Sequence, residues 1–465
     1  MRRWSIVGRQ ALLLAAALTL CAVAFVPRHF AASSGLDSPL LYTFARGYDP
    51  LAWIRGADRF GGNATVFVQD TRGRHPLVHD FAASADPTVS FDGAKVLFSG
   101  KRKPQDPWQI WEISLASGNP QRITSCAADC IRPFYLPENR IVYAKRIDGG
   151  FVIEAATLVG GKAAAPVVRL TYGPGNSLPT DVLRDGRILF EAIAPFGSTV
   201  EAGGKAELYT VYSDGSGVES YRCDHGKARH AGRQVSSGDI VFASQSRLAR
   251  FTSALAQEVS IAAPAGEYGG DITETTSGDW LVPWRRDARS SFQLMLWNPS
   301  AGALRTSVAE SGADVIEPTL VVPRTPPKRH PSALHDWSYA NLLCLNAYTS
   351  KYKLAEGSIR SIRLYTRDAG GGAKSLGTAP VESDGSFYVQ VPGDQPLQIE
   401  LLDGSGKILK REVGWFWMRR GEQRVCVGCH AGPETAPENA VPMILLKSTT
   451  PTDMTGAGQV ARGGK

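Results

Sequence analysis

Histidine and methionine are scarce in this sequence, with 8 and 5 copies in 465 residues, and cysteine occurs only 7 times. Supply this thin argues against arrays of zinc knuckles, which need four ligands each. Long runs of one charge are missing as well. The 51 basic and 44 acidic residues leave a formal net charge of +7, spread along the chain, and clusters such as Lys101-Arg102-Lys103 are short. They read as solvated turns, so no nucleic-acid partner is expected. No phosphate loop, paired carboxylates or Ser/His/Asp grouping stands out in the middle of the chain. The one marked apolar run, residues 11–25, is short for a spanning helix.

That run follows Arg2, Arg3 and Arg9, and Ala22-Val23-Ala24 offers a small-residue cleavage site. Residues 1–24 therefore read as a signal peptide, and the mature chain as periplasmic or otherwise exported with no transmembrane domain. Retention by an uncleaved N-terminal anchor is the alternative. Cys21 leaves with the signal.

Glycine (48) and proline (29) are plentiful, as in a turn-rich β protein. From about residue 63 to 331 the chain repeats itself. Segments 87–98, 133–143, 179–190, 234–242 and 272–282 each give a short strand, a tight turn (Asp-Gly, Glu-Asn or Ser-Gly-Asp) and a second apolar strand. A second hairpin follows several copies, as at 109–124 and from 207 onward. Their aligned ends, Phe98, Tyr143, Phe190, Phe242 and Val282, are spaced by 45, 47, 52 and 40 residues. That is the period of a β-propeller blade. A sixth copy begins at 316–322 and lacks an outer hairpin, while an orphan hairpin at 62–80 precedes the first full copy. The expectation is a six-bladed β-propeller over 40–331 whose last blade is closed by residues 62–80. Seven blades is the alternative, if 40–56 supplies more strand. Such repeats resemble the TolB-type and WD-like propellers of exported bacterial proteins. A propeller alone implies a scaffold and no chemistry. His75, His79, the pair Asp224-His225, and His230 read as loop histidines, unless one of them faces the cofactor considered below. Cys126 and Cys130, four residues apart, are either a local disulfide or two free thiols.

The proline-rich, basic stretch Pro323-Arg324-Thr325-Pro326-Pro327-Lys328-Arg329-His330-Pro331 reads as an extended linker. Strand signals then recur at 340–348, 359–365, 386–391, 397–402 and 413–418, with turns at Asp384-Gly385 and Asp403-Gly404. They predict a small antiparallel β-sandwich domain over 332–447, followed by a disordered tail over 448–465. The overall class is all-β. Cys344 lies in an apolar run and reads as a small buried residue; the fate of Cys223 is open.

Within the second domain stands Cys426-Val427-Gly428-Cys429-His430, the C-x-x-C-H pattern of covalent c-type haem attachment. Each thiol adds to one vinyl group of the porphyrin, and the adjacent histidine ligates the iron. A short helical turn would satisfy all three bonds. One haem c is expected, on Cys426 and Cys429 with His430 as proximal ligand. An exported dithiol and a zinc site are the alternatives. The distal ligand is open; Met443 is a weak candidate, while Met418 suits core packing and Met454 falls in the tail. Trp415, Phe416 and Trp417 are candidate haem-wall residues, and Arg419, Arg420 and Arg424 candidate propionate partners.

Gly377-Thr378-Ala379-Pro380-Val381, Asp384-Gly385-Ser386-Phe387, Val391-Pro392-Gly393-Asp394-Gln395-Pro396-Leu397, Leu402-Asp403-Gly404 and Gly421-Glu422-Gln423-Arg424-Val425 run in that order into the cysteine motif. Together they resemble the haem-bearing middle domain of the hydrazine synthase alpha subunit family, whose members also place a propeller before it. The resemblance implies the thioether roles of Cys426 and Cys429, the ligand role of His430, and partner proteins. The family adds a further haem domain; this sequence holds one C-x-x-C-H motif. The expected function is therefore electron transfer by a monohaem c-type cytochrome to or from a docked redox partner. A haem-dependent oxidoreductase acting on small nitrogen or oxygen species, and a propeller binding scaffold, are the alternatives.

Overall fold

The structure, a computed structural model, describes residues 36–60, 63–148, 150–193, 205–222, 227–253, 256–310, 312–350, 353–368, 370–412, 414–429 and 439–456. The N-terminal signal reading, Cys223, Asp224, His225 and His430 lie outside the described residues.

Short β-branched and aromatic strands separated by Gly- and Asp-bearing turns fold into six antiparallel blades. Blade one runs outward from Ala83–Val89 through Lys95–Lys101 and Gln109–Ser114 to Pro120–Arg122. Blades two, three and four begin at Cys130–Leu136, Ser177–Val182 and Arg229–Gln234. The inner edge of blade five is split into Glu267–Tyr268 and Thr273–Glu274, both paired with Trp280–Arg285. Blade six combines the two ends of the propeller: Asp314–Leu320 is innermost, then Leu40–Ala45, Ala64–Asp70 and Gly73–Pro76. Leu40–Ala45 is thus the second strand of the closing blade, not the start of a seventh. Asp314–Leu320 lies against Ala83–Val89 of blade one, which completes the ring.

A bulge recurs along the inner strands. Pairing slips between Ala85 and Thr88, Ile131 and Phe134, His230 and Arg233, and at the Leu41/Thr43 step facing Glu317. The bulged residues Asp86, Arg132, Ala231 and Glu317, with Asp271 at the break in blade five, all have φ between 51° and 57°. A non-glycine residue in that region costs about 1–3 kcal/mol unless its surroundings hold it. Here charge holds it. Arg59, reaching in from the connection between Leu40–Ala45 and Ala64–Asp70, donates to Glu317 Oε1 at 2.9 Å and also binds the Asp86 carboxylate. Glu317 Oε2 accepts from Thr43 Oγ1 (2.6 Å) and from the Asp86 amide (2.9 Å). Arg132 of blade two crosses the centre to both oxygens of Asp271 of blade five, at 3.2 Å each, and Arg233 joins the same carboxylate. Arg59, Asp86, Arg132, Asp271 and Glu317 are all buried. The axis of the propeller is thus filled by its own ion network. The guanidiniums of Arg132 and Arg233 more than offset the burial of Asp271 and hold its carboxyl well below the usual range.

Glu191, buried beside this network, accepts only the Ala231 amide among its described hydrogen bonds, at 3.0 Å. Burial lifts its pKa from 4.5 to about 7 against the pull of Arg132. A carboxyl raised in the folded state binds its proton more tightly there than when unfolded. Its stabilising contribution is present below about pH 4.5 and is lost as pH rises toward 7. His230 opposes it: burial lowers its pKa from 6.5 to about 4, so its contribution is lost as pH falls through that range. Glu191→Gln is expected to gain stability over wild type by on the order of 2–3 kcal/mol between pH 5 and 7. Urea unfolding at both pH values measures it; parallel pH dependence in the two proteins would show that Glu191 is ionised throughout.

The second domain is a two-sheet sandwich. Ser361–Arg367 pairs with Ala373–Pro380 and with Gln395–Leu402, which continues to Ile408–Arg411. Tyr339–Cys344 pairs antiparallel with Phe387–Pro392. Leu342, Ile362, Leu364, Val389, Val391, Leu397 and Met418 fill the space between the sheets. Two strands join the second sheet in parallel: Gln423–Cys426 beside Tyr339–Cys344, and Thr452–Asp453 beside Phe387–Pro392. The expected disordered tail is therefore corrected over 448–456, since Thr452–Asp453 is a strand and Met454 is buried in the sandwich core.

Candidate functional site

The cysteine motif starts on a strand. Gln423–Cys426 extends the sandwich sheet, with Cys426 directly opposite Cys344, and the Leu345 amide donates to the Cys426 carbonyl at 2.9 Å. The chain then bends through Val427, Gly428 and Cys429. The expected short helical turn is replaced here by a strand end and a bend. Gly428 is the residue this bend requires: a Cβ there would sit 2.1 Å from the Thr349 carbonyl oxygen and 2.7 Å from that of Asn346. The 346–349 loop thus clamps the motif against the end of the sheet.

Neither Cys426 nor Cys429 is in a disulfide, and both pack half-buried against the sandwich core. Cys344 is fully buried in the core on which Cys426 and Cys429 pack. Interaction between the Cys344 and Cys429 thiols lowers the Cys429 pKa and raises that of Cys344, whereas burial raises that of Cys426. The donor set suits thioether attachment: two sulfurs outside any disulfide, on partly buried cysteines with two residues between them, beside an apolar wall. Among the described residues no group of three metal-ligating side chains occurs.

Met443 stands at the same end of the sheet. Its amide donates to Asp384 Oδ2 at 2.7 Å, and its sulfur accepts from Ser383 Oγ at 3.1 Å. The 383–386 turn leads into Phe387, which lies opposite Cys344. Cys344 stands between Phe387 and Cys426 in the strand order of that sheet. Met418 and Met454 are core residues.

Other expected neighbours are committed elsewhere. Trp417 is buried among Phe134, Leu136, Val142, Ile153, Phe190 and Val218 of the propeller, so it docks the domains and does not wall a haem. Phe416 packs on the sandwich core, and Trp415 lies under Arg367. Arg419 donates to the Arg169 carbonyl and to Tyr172 Oη at 2.8 Å, and pairs with Asp394. Arg424 makes two bonds to Glu422, at 2.9 and 2.6 Å, and Glu422 also accepts the Gly217 amide of blade three. These arginines hold the domain on the propeller; Arg420, which pairs with Asp394, is exposed. The linker is extended and strapped down: the Arg324 and Lys328 amides donate to the Phe91 and Arg184 carbonyls, and His330 stacks on Tyr212 at 3.7 Å.

His75 sits on blade six near Asp70, and His79 follows it; His230 is on the inner strand of blade four. The sulfurs of Cys126 and Cys130 are joined, stapling the connection from blade one to blade two. Sequence reasoning missed the channel ions and the third thiol. A signal existed for the first: a charged residue precedes the repeated proline in Asp86-Pro87, Arg132-Pro133 and Glu317-Pro318.

Residues 354–431 match the family described as "Hydrazine synthase alpha subunit middle domain". Hydrazine synthase subunit alpha of Kuenenia stuttgartiensis is 20% identical over 512 residues, covering 80% of this chain. This chain spans 63% of the length of that relative. A solved structure of Kuenenia stuttgartiensis hydrazine synthase superposes with a TM-score of 0.77 at 17% identity, over 88% of this chain and 71% of the other. TolB from Acinetobacter baumannii aligns with a TM-score of 0.45 at 16% identity, over 68% and 73%.

Proposed function

We propose that this chain, hydrazine synthase alpha subunit-like in its propeller and sandwich, is an exported monohaem c-type cytochrome that exchanges electrons with a partner protein docked on the propeller. One observation carries the reading. The C-x-x-C-H motif lies in the family-matched segment, with both thiols unpaired at the rim of an apolar core. Cys426 and Cys429 would hold the haem and His430 would ligate its iron, supplying a one-electron centre. The clamp on Gly428 fixes the spacing of the attachment thiols. The ion-filled propeller axis suits a rigid docking platform rather than a substrate channel. The relative's name, a subunit of hydrazine synthase, supports a partner protein. No helix among the described residues is long and apolar enough to cross a membrane.

The test is a haemochrome assay on protein matured with the cytochrome c attachment machinery. Haem is expected to stay with the denatured polypeptide, one per chain, and to fall to background in Cys426→Ala/Cys429→Ala. Absence of thioether-bound haem in the wild-type chain would sink the assignment and leave a propeller scaffold. The kinship with hydrazine synthase favours a second reading, a haem-dependent oxidoreductase acting on small nitrogen or oxygen species. A six-coordinate low-spin spectrum indifferent to carbon monoxide would support the carrier, and a high-spin spectrum that shifts on ligand addition would support the enzyme.

A further inference from the structure

Natural β proteins keep their exposed edge strands short, because a long edge invites pairing with other chains. Five of the six blades follow that rule. Their outermost strands are Pro120–Arg122, Glu219–Ser220, Val259–Ser260, Leu304–Val308 and Gly73–Pro76, of two to five residues. Blade two departs from it: its outermost strand, Lys162–Arg169, has 8 residues and reads Lys-Ala-Ala-Ala-Pro-Val-Val-Arg. Ala165 and Pro166 are exposed, Val167 is 41% exposed, and Val159 at the end of the neighbouring strand Gly150–Val159 is 64% exposed. An exposed apolar cluster with a polar rim marks a contact surface. The rim here is basic. Lys162 is exposed at one end, and no acidic residue occurs between Glu154 and Asp181. Glu154 itself is buried and accepts from Lys145 Nζ at 3.1 Å. Blade one adds the exposed Arg122, since Gln121 beside it donates to the Gly160 carbonyl at 3.2 Å. At its other end the strand runs into the seam with the second domain, where the Arg169 carbonyl and Tyr172 receive Arg419, and Arg420 is exposed beyond.

We infer that the rim of blade two is the surface on which a partner protein docks, and that the partner presents an apolar centre framed by acidic residues. The inference rests on the reading of a partner held by the propeller, and it names the face and the partner's chemistry. Three observations set aside a second copy of this chain or a simple added strand. Pro166 has no amide to donate. Pairing with Gly150–Val159 slips between Ala155 and Thr157, and the Ala163 amide is already bonded to the Ile123 carbonyl at 3.0 Å. Antiparallel pairing of two copies would bring Lys162 of each chain toward Arg169 of the other, like charge against like charge. Recognition therefore falls to side chains. Apolar contact at the centre supplies affinity, and opposite charge at the rim selects the partner and speeds encounter.

The test uses the full chain in the cell that naturally makes it. Val159 and Val167 are replaced, one at a time, by photoreactive benzoylphenylalanine. Val259, 43% exposed on the outer strand of blade four, is the comparison site. Illumination is expected to join positions 159 and 167 to the same second protein, and mass spectrometry to map the bond to an apolar stretch with acidic residues on both sides. Lys162→Glu is expected to cut the yield on the order of tenfold, and Arg122→Glu, on a different blade, to act in the same direction. A product containing only this chain, a mapped stretch without acidic neighbours, equal yield at Val259, or no product at either valine would overturn the inference. The haemochrome assay keeps this apart from the underlying reading. Cross-linking without covalent haem leaves the surface and removes the carrier; covalent haem without cross-linking leaves the carrier and removes this surface.

Discussion

Replacing Arg59 with alanine is expected to destabilise the propeller by about 3–5 kcal/mol, the cost of leaving buried charges without their partner. Arg59 is 3% exposed, and so is the Asp86 side chain it binds. It also donates to Glu317 at 2.9 Å. Both carboxylates sit on bulged residues with positive φ, so losing the guanidinium also removes what holds the strained backbone. The position matters because blade six is assembled from both ends of the propeller. Arg59 comes from the N-terminal side of that blade, Glu317 is its C-terminal strand, and Asp86 is the inner strand of blade one. A single side chain thus fastens the seam of the ring. Removing one charge of the remaining pair should restore part of the loss: Arg59→Ala/Glu317→Gln is expected to be more stable than Arg59→Ala alone. Urea unfolding of the three proteins measures this. A loss under about 1 kcal/mol for Arg59→Ala would mean that water reaches the axis and solvates the carboxylates.

The blades were legible because their determinants are local. Asp92-Gly93 and Asp185-Gly186 sit between apolar strands at a regular period, and each such turn needs only its own few residues. The closing blade was legible in outline from the orphan hairpin at 62–80. The place of Leu40–Ala45 was not, since its two strand partners come from opposite ends of the propeller. The axial network was hidden for a similar reason: Thr43 and Glu317 are 274 positions apart, and Asp86 and Glu317 are 231 apart. The motif at Cys426 could be read from spacing alone. Its third thiol could not, because Cys344 reaches Cys426 only when Gln423–Cys426 adds in parallel to Tyr339–Cys344. A parallel neighbour leaves no hairpin turn in the sequence to announce it.

The tryptophans before the motif show how alternation could have been pressed further. In Trp415-Phe416-Trp417-Met418, a strand must send Phe416 and Met418 to one face and Trp417 to the other. Phe416 and Met418 do join the sandwich core, and Trp417 enters the propeller between blades two and three. Trp417→Ala is accordingly expected to weaken docking of the two domains by about 3–5 kcal/mol, the usual loss for a truncated buried tryptophan. That raises the undocked population by on the order of 10²–10⁴. The linker is the reporter: it offers trypsin Arg324, Lys328 and Arg329, and in the docked form its amides are bonded to the Phe91 and Arg184 carbonyls. Native-state proteolysis follows the open population when reclosing is fast, so cleavage of the linker should accelerate in proportion. Trp415→Ala is the control, since that ring is half-buried and stacks only under Arg367 among its described ring contacts; its cleavage rate should change less than about threefold, a shift of about 0.6 kcal/mol. Equal acceleration in the two variants would place the docking energy in the Arg419 and Glu422 contacts instead. Those contacts tie the sandwich to Arg169, Tyr172 and Gly217 through hydrogen bonds and through the Arg419 guanidinium over the Tyr172 ring.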